Sequence, residues 1–300
     1  MQIYNINPNL IAFYFEGDAA PGGPIPAEQM EGNWATGVCD SLGVASYAIY
    51  SGAEAIIYDT LCSPQQANEI KSYLEGALSI GKFTVVLSHW HLDHVGGNEL
   101  YREFNIVACR KTREHLLRQK AEIEAGTLWG EPAINPLRLP DIVFDDALSI
   151  YVGDLEVALY NYNIHSDDSV CAYIPKYKIL LPGDMLEETI PFVTNPEDMP
   201  THLKNYDLLR AMDIEKILPN HGRSRVIKNG GYSKGLIESV AHYLSALHAQ
   251  LNADPDGAVP DLRQLMAEYL DKGVVHYWEP YAAVHKINVQ RVRDFLKNQR

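Results

Sequence analysis

Cysteine is scarce in this chain and never closely paired: Cys39, Cys62, Cys109 and Cys171 are scattered over 300 residues, with no CxxC. A chain this long can bury a core without disulfide staples, so the four read as reduced structural thiols. Long apolar runs are also missing, and nothing approaches membrane-spanning length. The opening residues Met1-Gln2-Ile3-Tyr4-Asn5-Ile6 lack the basic and apolar regions of a secretory signal. A soluble cytoplasmic protein is the expectation. Positive charge is short as well, with 25 Lys and Arg against 39 Asp and Glu, a formal net charge of −14. Such a chain repels polyanions, which argues against nucleic acid and anionic membrane as partners. The partners expected are a small-molecule substrate and, as an option, a second copy of the chain.

What is present is concentrated in ten residues, Ser88-His89-Trp90-His91-Leu92-Asp93-His94-Val95-Gly96-Gly97. Three imidazoles and a carboxylate fall within six positions, directly after the apolar run Phe83–Leu87, which predicts a short buried strand. Imidazole suits zinc, iron and copper, and a carboxylate completes such a shell or holds a nucleophilic water.

The surrounding pattern predicts strands and helices in alternation, an α/β arrangement of layers. Residues 2–15 give one or two short strands broken at Asn7-Pro8-Asn9, and 17–37 is a Gly/Pro-rich loop. A hairpin spans Val44–Tyr50 and Ala55–Tyr58. A helix opens at Ser63-Pro64, with Ser63 as N-cap, and runs to about Gly76. Helices are expected over Gly97–Phe104 and 111–125, with a strand at Ile106–Ala108 between them, then a long loop over 126–141. Strands follow near 147–151, 154–160, 169–174 and 177–181, a helix near 198–212 and a strand near 215–218. Beyond Tyr232 only helical stretches are predicted, near 233–251, 259–271 and 280–297. Residues 1–231 are therefore taken as the catalytic domain and 232–300 as a helical extension near the site.

The histidine cluster alone supplies one metal and part of a second set of ligands, so further ligands are sought at other strand ends. Three residues meet that test: His165 after Leu155–Tyr160, Asp184 in Leu181-Pro182-Gly183-Asp184, and His221 in Leu218-Pro219-Asn220-His221. The other histidines, 115, 202, 242, 248, 276 and 285, sit in or near helices and are assigned surface or core roles.

The order Asp59, His89-x-His91-x-Asp93-His94, His165, Asp184, His221 resembles the metallo-β-lactamase-fold superfamily of metallohydrolases, over about residues 1–225. The resemblance implies an αββα sandwich with the site along one edge of two packed sheets. It implies His89, His91 and His165 on one divalent metal, Asp93, His94 and His221 on a second, and Asp184 bridging them. Asp59 then orients the histidine loop. Zinc is the first expectation for both ions, with iron or manganese as alternatives. An aspartate at the bridging position sets the chain apart from β-lactamases with cysteine there and is more similar to the lactonase, thioesterase and phosphodiesterase branches. The turn Ile164-His165-Ser166-Asp167-Asp168 departs from the superfamily's frequent Gly-His-Ser/Thr-x-Gly, which leaves its shape open.

Two metals about 3.5–4 Å apart make hydroxide available near neutral pH. Asp93 is the catalytic candidate, to orient the nucleophile and pass a proton to the leaving group. For the substrate walls the candidates are Trp34, Trp129, Phe192, Tyr277 and Trp278, with Arg223 as an anion holder, although each also reads as ordinary packing. A dinuclear hydrolase of small esters, lactones or thioesters is the first expectation. The alternatives are a mononuclear iron dioxygenase, a phosphodiesterase, a β-lactam hydrolase, or a regulatory protein with incidental hydrolysis.

Overall fold

Strand β2 (Leu10–Phe15) is buried along its whole length, and its side chains divide between two layers. Leu10, Ala12 and Tyr14 face a second sheet, whereas Ile11, Phe13 and Phe15 face helices. A strand covered on both faces needs such an unbroken apolar run. The computed structural model describes residues 1–15, 33–35 and 41–299, and among them this pattern recurs in two sheets. The first runs in the order β1 (Gln2–Asn7), β2, β3 (Val44–Ser51), β4 (Glu54–Tyr58), β5 (Lys82–Val86), β6 (Asn105–Cys109), β7 (Ile142–Phe144). It is antiparallel from β1 to β4 and parallel from β4 to β7.

The second sheet runs β12 (Lys216–Ile217), β11 (Ile179–Leu181), β10 (Val170–Ile174), β9 (Leu155–Asn161), β8 (Ala147–Val152), antiparallel except for β11 with β12. Val157, Leu159, Ala172 and Leu181 meet Ala12, Tyr47 and Ile56 between the sheets. Helices α1 (Pro64–Leu78), α2 (Leu92–Val95) and α3 (Arg110–Ala125) cover the first sheet through Ile70, Leu74, Leu92, Val95, Leu116 and Ile123. Helices α4 (Met199–Ala211), α5 (Ser224–Lys228), α6 (Gly235–Ala253), α7 (Leu262–Leu265), α8 (Ala267–Asp271) and α9 (Pro280–Asn298) follow in the chain. Tyr206 and Leu209 of α4, Val240 and Leu244 of α6, and Val284 of α9 share one cluster with Cys171 and Leu180 of the second sheet. The layers are thus helix, sheet, sheet, helix, with the helical tail packed into the outer layer.

Ser63 accepts a hydrogen bond from the Gln66 N–H and starts α1, as the sequence predicts. Three expectations change. Gly97–Phe104 is not an α-helix: it holds only a 3₁₀ turn at Asn98–Tyr101, preceded by the four-residue α2, because the chain here turns sharply to aim side chains inward. The stretch 259–271 splits into α7 and α8 at Met266. Cys62 is disulfide-bonded, whereas Cys109 and Cys171 are free. Spacing along a chain does not reveal which thiols meet in space. The loop at 17–37 lies outside the described residues apart from Asn33–Ala35, and Cys39 lies outside them too. Among the described residues no helix is long and apolar enough to cross a membrane.

Tyrosines in the inter-sheet layer position the loops at one edge of the sandwich. The hydroxyl of Tyr14 donates to the Gly222 carbonyl (3.0 Å), that of Tyr47 to Pro219 (2.6 Å) and that of Tyr58 to Val170 (2.6 Å). On the opposite side of the histidine loop, a Cβ at Gly97 would lie 2.3 Å from Ala67 Cβ and 2.5 Å from the Thr60 carbonyl oxygen. No L side chain fits that approach. Gly97→Ala is expected to cost roughly 1–3 kcal/mol through overpacking, read as a lower denaturant midpoint. An unchanged midpoint would contradict this packing.

Candidate metal centre

Among the described residues, the loops that carry the candidate donors leave the same edge. The segment after β5 carries His89 and His91, and α2 carries Asp93 and His94. The β9–β10 loop carries His165, the turn after β11 carries Asp184, and the loop after β12 carries His221. All seven side chains are buried. They fall into two groups, His89 with His91 and His165, and Asp93 with His94, Asp184 and His221.

In the first group His91 Nδ1 lies 2.9 Å from His89 Nε2 and 3.1 Å from His165 Nε2. Zinc–nitrogen bonds of about 2.0–2.1 Å at a tetrahedral angle set donor nitrogens roughly 3.3 Å apart, so these donors fit one ion with a small relaxation. Burial foremost, then the neighbouring imidazoles, hold His89 and His91 well below the usual histidine range, and burial lowers His165 also. Neutral imidazole is the ligating form.

In the second group Asp93 Oδ2 lies 3.1 Å from His221 Nε2 and 3.3 Å from His94 Nε2. Burial pulls the pKa values of His94 and His221 down, but Asp184 and Asp93 outweigh it and raise both, His221 to about 9. Burial pushes the other way on the carboxylates and is again overcome: His94 and His221 hold Asp93 well below the usual range and bring Asp184 to about 2. The pocket therefore favours positive charge beside two carboxylates, which is the electrostatic condition for a divalent ion.

Asp184 joins the groups. Its Oδ2 is 3.1 Å from His94 Nε2, 3.6 Å from His221 Nε2, 3.8 Å from His89 Nε2 and 3.9 Å from His165 Nε2. Its Oδ1 is buried with no hydrogen-bond partner among the described residues. One carboxylate thus stands between both donor sets with an oxygen to spare.

The outward ring nitrogens are held as ligand orientation requires. His94 Nδ1–H donates to Asp59 Oδ2 at 2.9 Å and His221 Nδ1–H to the Gly43 carbonyl at 2.7 Å, while Ser88 Oγ meets His89 Nδ1 at 2.9 Å. Asp59 also accepts from the Ser88 N–H (2.7 Å) and Asn220 Nδ2 (2.8 Å), tying the histidine loop to the His221 loop. In the turn without glycines, His165 itself takes the left-handed conformation at φ 69°, and Ser166 donates to Asp168 Oδ1 beneath it.

A cavity of about 800 Å³ opens over the two groups. Trp34, Trp129 and Phe192 line it, whereas Arg223, Tyr277 and Trp278 do not. Arg223 lies 5.1 Å over the Trp278 ring and reaches the Tyr277 carbonyl, so the three pack on one another away from the cavity. Sequence proximity to His221 suggested Arg223, but α5 begins directly after it and carries the chain away. Trp90, Glu187 and Arg291 line the cavity and were missed. Trp90 had a signal, an aromatic between two candidate ligands; its ring contacts His91 at 5.2 Å and Trp129 at 5.0 Å. Burial, then Asp184, raises the Glu187 carboxyl to about 8, and its Oε1 lies 3.8 Å from His165 Nδ1.

His115, Asp167 and Asp168 form a third acidic group, but Lys111 Nζ at 3.1 Å from Asp167 already supplies its cation. Of the remaining histidines, His202 bonds Asn163, His242 the Leu265 carbonyl, and His285 the Pro260 carbonyl. His248 meets Asn252, and His276 meets Glu188.

A family model described as the metallo-beta-lactamase superfamily matches residues 40–221. Among solved structures, a metallo-beta-lactamase from Pontibacter korlensis superposes with a TM-score of 0.60 at 16% identity, covering 81% of this chain and 98% of that one. A metallo-beta-lactamase from Hirschia baltica gives 0.57 at 16% identity, covering 81% and 97%. At such identities the likeness is one of fold. Asp59→Ala is expected to weaken metal binding about 10–100-fold by freeing His94, measured by competition with a chelator. Unchanged affinity would show that Asp59 does not orient a ligand.

Proposed function

The chain belongs to the metallo-β-lactamase superfamily, and from that premise we propose that it is a dinuclear metal-dependent hydrolase of small esters, lactones or thioesters. The observation that carries the reading is Asp184 Oδ2, within 3.1–3.9 Å of four imidazole nitrogens drawn from both donor groups. His89, His91 and His165 would hold one ion, and Asp93, His94 and His221 the other. Two divalent ions, zinc on this nitrogen-rich donor set, supply Lewis acidity and bring the pKa of a water to about 7.

The chain's own residues supply the rest. Asp93 stands between His94 and His221 with its carboxylate ionised, placed to orient the attacking water and carry its proton to the leaving group. Trp34, Trp90, Trp129 and Phe192 give the cavity apolar walls that exclude bulk water and seat an organic acyl group. The cavity volume is in the range of small-molecule sites, and a net charge of −14 disfavours polyanionic substrates.

Protein loaded with zinc is expected to bind about two ions per chain and to cleave members of a panel of short esters, lactones and thioesters. His91→Ala should lower kcat/KM by roughly 10³-fold or more through loss of Lewis acidity. Its circular-dichroism spectrum should stay native, because apolar clusters and not the metal hold the sheets together. A melted spectrum would contradict the second expectation. One iron per chain with thiol-dependent oxygen uptake would overturn the hydrolase reading.

A further inference from the structure

The cavity over the metal centre is lined by three buried carboxylates, Asp93, Asp184 and Glu187, yet its described lining includes one arginine and no lysine. That arginine, Arg291, comes from α9 in the helical tail. Other arginines of the chain pair with acids: Arg110 with Asp145, Arg138 with Asp141, and Arg210 with Glu238. Among the described residues no carboxylate comes within ion-pair distance of Arg291. Its guanidinium lies 4.8 Å over the Phe192 ring and makes one long hydrogen bond, 3.3 Å from Nη1 to the Thr194 carbonyl. A guanidinium carries five N–H donors, so most of its capacity is unused.

Arg291 is solvent-accessible, but burial lowers its pKa below the ordinary arginine value. A side chain in the wall of an open cavity has both properties. The segment beneath it is tied to the candidate metal donors: the Phe192 N–H donates to Glu187 Oε1 (3.0 Å), and Glu187 Oε1 lies 3.8 Å from His165 Nδ1. The ring under Arg291 is thereby anchored to the cavity floor.

We propose that Arg291 is a specificity-determining residue that pairs with a single oxyanion, a carboxylate or sulfonate, on an otherwise apolar occupant of this cavity. The planar fork of the guanidinium matches such an anion with two parallel hydrogen bonds. One guanidinium balances one charge, which favours a mono-anion over a phosphate dianion. Trp34, Trp90 and Trp129 then take the apolar body between the anion and the metals. Calling that occupant the substrate rests on the hydrolase reading; the anion site itself does not.

The test is binding to the zinc-loaded full chain, followed by tryptophan fluorescence. The probes are 2-naphthalenesulfonate and methyl 2-naphthyl sulfone, which share a shape, differ in charge and are both poor metal ligands. A hydrogen-bonded charge pair predicts that the sulfonate binds about 10-fold more tightly than the sulfone. Arg291→Gln should abolish that preference and leave sulfone affinity and zinc content unchanged, and Arg291→Lys should restore part of it. Equal binding of the two probes, a preference that survives Arg291→Gln, or binding of neither would overturn the proposal. Turnover is not read. The preference in a protein that cleaves no ester would therefore sink the hydrolase reading alone, and cleavage without the preference would sink only this inference.

Discussion

Four carboxylates, Asp59, Asp93, Asp184 and Glu187, are buried around five imidazoles at one edge of the sandwich. An uncompensated buried carboxylate costs several kcal/mol, so each must be answered in the fold. Asp59 is answered by donors, the Ser88 N–H, His94 and Asn220. Glu187 is answered by its raised pKa, which favours the neutral acid. Asp93 and Asp184 share His94 and His221, and between them they favour cationic charge of the kind a bound divalent ion would supply.

The rest of the molecule holds these groups in place. Loops cannot be buried unless their polar backbone finds partners, and here the partners come from the layer beneath. Tyr14, Tyr47 and Tyr58 put their rings between the sheets and their hydroxyls on backbone carbonyls, two of them on the segment with His221 and one at the start of β10. The helical tail does the same for the segment after Asp184. Glu188 accepts from the His276 and Arg223 N–H groups and from Tyr232, and Asn288 bonds the backbone of both Pro191 and Val193. The tail is therefore part of the site's scaffold as well as the source of Arg291.

How much was legible in the sequence depended on the range of the signal. The histidines and aspartates that the fold brings together were readable because each sits just past an apolar run, and strand ends are where a sheet presents rigid side chains. The alternation of strands and helices was readable from the apolar runs, but the order of the layers came only from the family resemblance; the full burial of Leu10–Phe15 was not anticipated. Arg291 and Glu187 were not, because nothing near them in the chain marks a cavity; tertiary folding of α9 and the loop after Asp184 makes it. Proximity to His221 misled on Arg223, and aromatic character misled on Tyr277 and Trp278, whose rings lie under Arg263 and Arg223 away from the cavity. The histidine loop was expected to lead into a helix, but packing against Thr60, Cys62 and Ala67 at Gly96 and Gly97 forces tight turns instead.

The account's central claim is that one carboxylate, Asp184, holds two ions close together. Electron paramagnetic resonance of the protein carrying two cobalt(II) ions per chain tests it directly. Ions that share a bridge are spin-coupled, so the account predicts a signal well below the sum of two isolated ions, recovered toward isolated-ion intensity in Asp184→Ala. A full-intensity signal at two ions per chain, or saturation at one ion, would contradict it.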